Sequence, residues 1–177
     1  MKKLTVGLVH IYWGDGKGKT SAAVGLAARA AGEGLSCLFC QFLKGTQTGE
    51  LASLEKAGVT ILRTERVKKF IPWMDEREKN DCQEDVAACF AYLKKVVEEG
   101  EFDVVVADEI LDAVACGLIG EDELVSLLAR RDRSVELVLT GRAPTKEVEK
   151  YADYNTRFEM LAHPYDKGIL ARKGIEY

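Results

Sequence analysis

"WGDGKGKTSAAVGLAARAAGEG", residues 13–34, has the makings of a phosphate-binding loop running into a helix. Counting back from Gly18-Lys19-Thr20, the phosphate-loop pattern G-x-x-x-x-G-K-[ST] wants its first glycine at position 13. Trp13 stands there, and the nearest glycine, Gly14, comes one residue late. The surroundings argue for a phosphate loop nonetheless. The stretch before it, "LTVGLVHIYW" (4–13), is β-rich, and the small-residue run "SAAVGLAARAA" opens a helix near Lys19. A strand running through a glycine turn into a helix is the setting in which such loops bind phosphate. Its backbone N–H groups and the helix N-terminus project positive potential onto anionic oxygens. Gly14, Asp15, Gly16, Lys17, Gly18, Lys19, Thr20 and Ser21 are therefore the candidate triphosphate-binding residues. The glycines allow close approach, Lys19 neutralises the outer phosphates, Lys17 adds a second cation, and the Thr20 hydroxyl can ligate Mg²⁺. A glycine-rich turn that binds nothing is the alternative, and three alternating glycines, the last of them opening G-K-T, speak against it.

Outward from the loop, strand and helix signals alternate. "LSCLFCQFL" (35–43) is a continuous apolar strand, and "GELASLEKAG" a short helix. "VTILRT" (59–64) is a third strand, followed by an irregular segment, "ERVKKFIPWMDE", broken by Pro72. A long helix is expected over roughly 75–99, where Val86, Cys89, Phe90, Leu93, Val96 and Val97 recur at helical spacing. "FDVVVADEI" is a fourth strand, "EDELVSLLARR" a helix, "VELVLTGR" a fifth strand, "TKEVEKYA" a helix and "YNTRFEML" a sixth strand. Continuous Val/Ile/Leu strands separated by helices imply an α/β fold, with a mostly parallel six-stranded sheet covered by helices on both faces. There is no internal repeat, linker or low-complexity stretch, so residues 1–177 are read as a single domain.

Bulk properties narrow the function classes. A net charge of −4 gives no basic footprint for nucleic acid. No apolar run approaches the roughly 20 residues that span a bilayer. The opening "MKKLTVGLVHIYWGDG" lacks a small-residue cleavage site and runs straight into the glycine loop, so it reads as a first strand and not as a signal peptide. Of five cysteines, Cys37 and Cys40 form a C-x-x-C, but within a strand residues three apart face opposite sides and do not chelate one ion. Neither His10 nor His163 has metal-ligand spacing. Buried thiols in a reducing cytoplasm are the plain reading.

Two strand ends complete the site. "VVVADE" brings Asp108 and Glu109 to the carboxyl edge of the sheet, where ligands of open α/β folds sit, and at least one is expected to hold Mg²⁺ directly or through water. Helix capping is the alternative role for this pair. "LTGR" points Arg142 at the same edge, where it can clamp phosphate; an exposed, merely solvating arginine is the alternative.

Together "GDGKGKTSAAVGLAARAAGEG", "QFLKG", "VVVADEILDAVACGLI", "VELVLTGRAP" and "AHPYDKGILARKGIEY" resemble the P-loop type of ATP:corrinoid adenosyltransferase, in order, from about residue 5 to 177. The G-[ND]-G-K-G-K-T loop and the terminal HPYD-x-G…GIE stretch are distinctive of that family, so the late glycine belongs to its pattern. The resemblance implies a P-loop NTPase-like (RecA-like) domain. It implies that the loop holds ATP so that the ribose 5'-carbon, and not the terminal phosphorus, is attacked by cobalt(I) of a reduced corrinoid, with release of triphosphate. Lys19 and Arg142 are then the catalytic cations. Thr20 and Glu109, with Asp108 behind them, hold Mg²⁺ or Mn²⁺. The resemblance further implies cobalamin, cobinamide or cobyrinic acid diamide as the corrinoid, a flavoprotein as the reductant, and a cytoplasmic homodimer serving cobalamin biosynthesis.

Relatives place aromatics beneath the corrin ring to exclude the lower cobalt ligand. Phe70 and Trp73 in "KKFIPWMD" are the nearest counterparts, spaced one residue further apart than an F-x-W arrangement. Packing a loop onto the core is their alternative role. Relatives often carry an N-terminal arm over the corrinoid, whereas Met1 here stands only a few residues before the first strand. Ala162 stands where they commonly have lysine, and His163 is given no catalytic role. A P-loop small-molecule kinase or ATPase is the runner-up, and a nucleotide-dependent partner switch a third class.

Overall fold

The computed structural model describes residues 4–45, 48–67, 69 and 71–176. Six strands, β1 (Val9–Trp13), β2 (Cys37–Gln41), β3 (Thr60–Arg63), β4 (Val104–Asp108), β5 (Glu136–Gly141) and β6 (Tyr154–Arg157), form one sheet in the order β3-β2-β4-β5-β1-β6. Every pairing is parallel. All six carboxyl ends therefore open onto one edge, as the alternation of strand and helix signals requires.

Helices cover both faces, and the period-2 alternation along the strands sorts residues between them. Val104 and Val106 pack with Cys37, Phe39 and Val138 against α1 (Lys19–Gly32) and α2 (Gly49–Lys56). Only small residues, Ala23, Ala27 and Ala30, are fully buried on α1, which lets its backbone lie close to the sheet. Val105 and Ala107 point the other way, into a larger core with Leu38, Cys40, Leu137 and Leu139. That core is closed by α3 (Glu76–Glu99), α4 (Ile110–Ala115), α5 (Glu121–Arg130) and α6 (Lys146–Glu149). The long helix α3 begins at a capping box between Asp75 and Glu78 and stops at Gly100, whose φ of 61° suits a glycine. Its buried stripe is the expected one, extended by Cys82.

Three details differ from the sequence expectation. β1 starts at Val9 and not at residue 4. The end of "VVVADEILDAVA" is a short helix of its own, α4, set off from β4 by Glu109 in the left-handed region at φ 62°. The irregular segment after β3 contains one 3₁₀ turn, Ile71–Trp73. Cys37 and Cys40 do face opposite sides of the sheet. Cys40 Sγ lies 3.2 Å from Cys89 Sγ, both as free thiols. His10 is engaged within the sheet, with Nε2 2.6 Å from Glu136 Oε1 and Nδ1 3.1 Å from the Tyr12 hydroxyl.

Candidate active site

The glycine loop between β1 and α1 is shaped by the chain leaving β6. Gly16 N–H donates to Phe158 O at 2.9 Å, and Phe158 N–H donates to Trp13 O at 2.7 Å. A Cβ on Gly14 would stand 2.1 Å from Phe158 O, and one on Gly16 2.7 Å from Phe158 C. Gly14 and Gly18 also hold φ of 120° and 118°, which side chains resist. Position 13, by contrast, is the last residue of β1 and needs no glycine. Trp13 serves the sheet edge there: its Nε1 donates to Asn155 Oδ1 at 2.6 Å and the Arg157 guanidinium lies 5.4 Å from its ring centroid. The late glycine thus has a structural cause in the crossing of loop and Phe158.

Within the loop, Lys19 is half-buried at the start of α1 and its Nζ donates to Gly16 O at 2.8 Å. Burial lowers the pKa of this ammonium, and the Asp112 carboxylate pulls it back upward. Lys17 is exposed and tied to the C-terminal stretch, 2.8 Å from Glu176 Oε1 and 3.3 Å from Ile175 O. Asp15 Oδ1 accepts Met160 N–H at 3.3 Å, and Ser21 is exposed on the first turn of α1.

The second half of the site gathers around Asp108, which is fully buried at the end of β4. Its Oδ1 accepts the hydroxyls of Thr20 at 2.9 Å and Thr140 at 2.8 Å. Its Oδ2 accepts Lys44 Nζ at 3.0 Å and Gln41 Nε2 at 3.3 Å. Neighbouring strands deliver each of these: Gln41 pairs with Asp108 in register across β2 and β4, and Thr140 follows on β5. Glu109 is held by its N–H donating to Thr140 Oγ1 at 2.8 Å, and its Oε1 lies 3.2 Å from Lys44 Nζ. Burial raises the Glu109 pKa, and Lys44 works against that rise. A left-handed glutamate costs on the order of 1 kcal/mol, strain of the kind that clusters at functional sites.

Arg142 leaves β5 exposed, and its peptide joins two parts of the site. Its N–H donates to Asp112 Oδ1 at 3.3 Å, and its O accepts Gly14 N–H at 3.0 Å. Burial raises the Asp112 pKa, opposed by that hydrogen bond and by the Arg142 and Lys19 charges.

Lys19, Thr20, Asp108, Glu109 and Arg142 therefore meet at one edge. Lys44, Gln41, Thr140, Asp112 and Phe158 join them without having been singled out from the sequence. Lys44 lay in the quoted "QFLKG" and Thr140 in "LTGR"; what was hidden was the strand order that sets them beside Asp108. Trp73 is 76% exposed, while its neighbours Ile71 and Met74 pack into the core. Core packing is thus not the role of Trp73; Phe70 lies outside the described residues. His163 accepts Tyr165 N–H at 3.1 Å and caps its own 3₁₀ turn.

The donor set suits a hard divalent cation, since it consists of a hydroxyl and two carboxylates. Among the described residues no group of three His, Cys, Asp or Glu side chains could hold a metal ion by itself. Mg²⁺ is ordinarily held by one or two carboxylates together with substrate phosphates, so these residues fit an ion that arrives with a triphosphate.

Residues 5–177 match the model of a family described as ATP:corrinoid adenosyltransferase BtuR/CobO/CobP. The corrinoid adenosyltransferase CobA of Salmonella typhimurium is 33% identical over 175 residues, which cover 97% of this chain and 86% of the relative. The corrinoid adenosyltransferase of Escherichia coli K12 is 31% identical over the same shares of the two chains. Among solved structures, a KaiC-like protein from Pyrococcus horikoshii superposes with a TM-score of 0.55 at 18% identity, over 86% of this chain and 71% of that one. At that identity the likeness speaks for the P-loop, RecA-like fold alone.

Proposed function

The chain belongs to the ATP:corrinoid adenosyltransferase family, and from that premise we propose which of its residues carry the transfer of the adenosyl group of ATP to a corrinoid. The observation that carries the reading is the match over residues 5–177, which takes in the loop and all three strand ends of the site.

In this reading, cobalt(I) of the reduced corrinoid attacks the ribose 5'-carbon of ATP. A cobalt–carbon bond forms as the carbon–oxygen bond breaks, and inorganic triphosphate leaves with the electron pair. Cobalt(I) is itself a strong nucleophile, so no general base is needed. The protein's work is positioning and charge stabilisation. The loop amides, Lys19 and Arg142 hold the triphosphate, with Lys17 reaching it from its place beside Glu176. Thr20, Glu109 and Asp108 hold Mg²⁺ or Mn²⁺; the Thr20–Asp108 hydrogen bond and the edge all three share support this. Bound there, the ion neutralises charge that develops on the leaving triphosphate.

Trp73 is read as part of the floor beneath the corrin, a role its exposure supports. The reductant is read as a flavoprotein and the corrinoid as cobalamin, cobinamide or cobyrinic acid diamide, within cobalamin biosynthesis. A homodimer is proposed because Leu161, Tyr165, Leu170 and Ile175 expose apolar surface along the C-terminal stretch. A cytoplasmic setting fits four buried free thiols. Among the described residues no helix is long and apolar enough to cross a membrane. Residues 1–177 act as one nucleotide- and corrinoid-binding domain.

The test is incubation with ATP, Mg²⁺ and chemically reduced cob(I)alamin, following the corrinoid spectrum and the phosphorus products. Adenosylated corrinoid and triphosphate in equal amounts are expected. ADP without change at cobalt would instead identify a kinase or ATPase.

A further inference from the structure

Lys44 Nζ lies 3.0 Å from Asp108 Oδ2, 3.2 Å from Glu109 Oε1 and 3.3 Å from Thr20 Oγ1. These are oxygens of the three side chains assigned above to the divalent ion. We propose that Lys44 is a tethered stand-in cation: it fills the metal seat while the loop holds no nucleotide, keeps free divalent ions out, and yields the seat when the ion enters with ATP. The inference rests on the reading of Thr20, Asp108 and Glu109 as the metal-holding residues.

Backbone and side chain behave differently here, as such a device requires. The backbone is fixed: Phe42 N–H donates to Asp108 O at 2.9 Å, and Arg63 Nη2 donates to Lys44 O at 2.7 Å. Leu43 just before it holds the left-handed conformation at φ 57°. The ammonium sits on a flexible four-carbon stem, and the side chain as a whole is 24% exposed. It can therefore leave while the peptide stays.

Charge supplies the reason for the device. Asp108 is wholly removed from water, and a buried carboxylate without a compensating charge is costly. Glu109 adds a second carboxylate next to it. Without Lys44 this pair would stand open to a free metal ion. With it, the seat is neutralised, and an incoming divalent ion must displace an ammonium in contact with all three groups. Only an ion that brings the triphosphate also brings new anionic partners for the displaced ammonium. Metal entry is thereby coupled to nucleotide entry.

Mn²⁺ serves as the probe, with its free concentration read by electron paramagnetic resonance against the full-length, nucleotide-free protein. Wild type is expected to bind Mn²⁺ weakly. Lys44→Met, which keeps the stem and removes the charge, is expected to bind it on the order of tenfold more tightly. Lys44→Gln is expected to do the same, and its amide can still bond Asp108 if the methionine variant folds poorly. Lys44→Arg keeps the charge and should keep the weak binding. Unchanged Mn²⁺ affinity in a folded neutral variant would overturn the proposal. A second arm measures binding of Mn²⁺–ATP to the doubly neutral Asp108→Asn, Glu109→Gln protein by water-proton relaxation, against a protein-free Mn²⁺–ATP control. If that binding persists, the metal-site reading itself falls. If it is lost while the neutral Lys44 variants match wild type, only the role of Lys44 falls.

Discussion

Thr20 and Thr140 donate their hydroxyls to one oxygen, Oδ1 of Asp108, from 2.9 and 2.8 Å. One threonine lies in the first turn of α1 and the other near the end of β5, so the carboxylate of β4 ties loop to sheet. Thr140→Val keeps the shape, removes the donor to Asp108 and leaves the Glu109 N–H without its acceptor. A loss of about 1–3 kcal/mol in stability is expected in denaturant unfolding. The Mg²⁺ requirement should rise with it. A variant as stable as wild type with an unchanged Mg²⁺ titration would show that this bridge matters to neither.

The two carboxylates should separate on substitution. Asp108 is buried and bonded to Thr20, whereas Glu109 reaches the site beside Lys44. Asp108→Asn is expected to weaken Mg²⁺ binding by roughly 10–100-fold, the range found when groups that orient or hold a metal are altered. Glu109→Gln should shift the Mg²⁺ titration in the same direction by less. A larger shift for Glu109→Gln would make glutamate the principal ligand.

Lys19 stands at the loop's helix end with its ammonium on Gly16 O. With Lys19 proposed as a cation on the leaving triphosphate, Lys19→Ala should lower adenosylation by on the order of 10²-fold or more. ATP affinity, measured by calorimetry, should fall with it. Near-normal turnover would withdraw the assignment of the loop.

How far the sequence reached depends on whether a feature was local. The loop, α1 and the stripe of α3 were legible because period and glycine placement are local signals. α4 was not, because outside Asp108, Glu109 and Asp112 "VVVADEILDAVACGLI" is a run of apolar and small residues, and period alone cannot divide a strand from a short buried helix. The division is made by Glu109 turning left-handed, which no residue type announces. Lys44, Gln41 and Thr140 escaped because they reach Asp108 only through the neighbouring places of β2 and β5 in the sheet. Gly14 and Gly16 were read as approaches for phosphate; their packing against Phe158 depends on β6 lying beside β1.

Thiol chemistry offers a check on the packing. Burial pushes the Cys37 thiol up to about 11 and raises Cys40 as well. Cys116 is the exposed one of the five. A disulfide reagent at mildly alkaline pH should therefore react with a single thiol in the native protein, and with all five in denaturant. Cys116→Ser should leave none reactive before unfolding. Rapid reaction of a second native thiol would mean that a core helix opens readily.

Trp73 allows the floor beneath the corrin to be separated from packing. A buried tryptophan cut to alanine commonly costs about 3–5 kcal/mol, but this one is 76% exposed on its 3₁₀ turn while Ile71 and Met74 anchor the segment. Trp73→Ala is therefore expected to leave the melting temperature close to that of wild type. If the ring excludes the lower cobalt ligand, its value lies in making cobalt(II) four-coordinate and easier to reduce. Once cobalt(I) has been made chemically the lower ligand is already gone, and the ring is needed much less. Turnover from cob(II)alamin with a protein reductant should thus fall far more than turnover from pre-formed cob(I)alamin. Equal losses in both assays, together with a lowered melting temperature, would return Trp73 to a structural role.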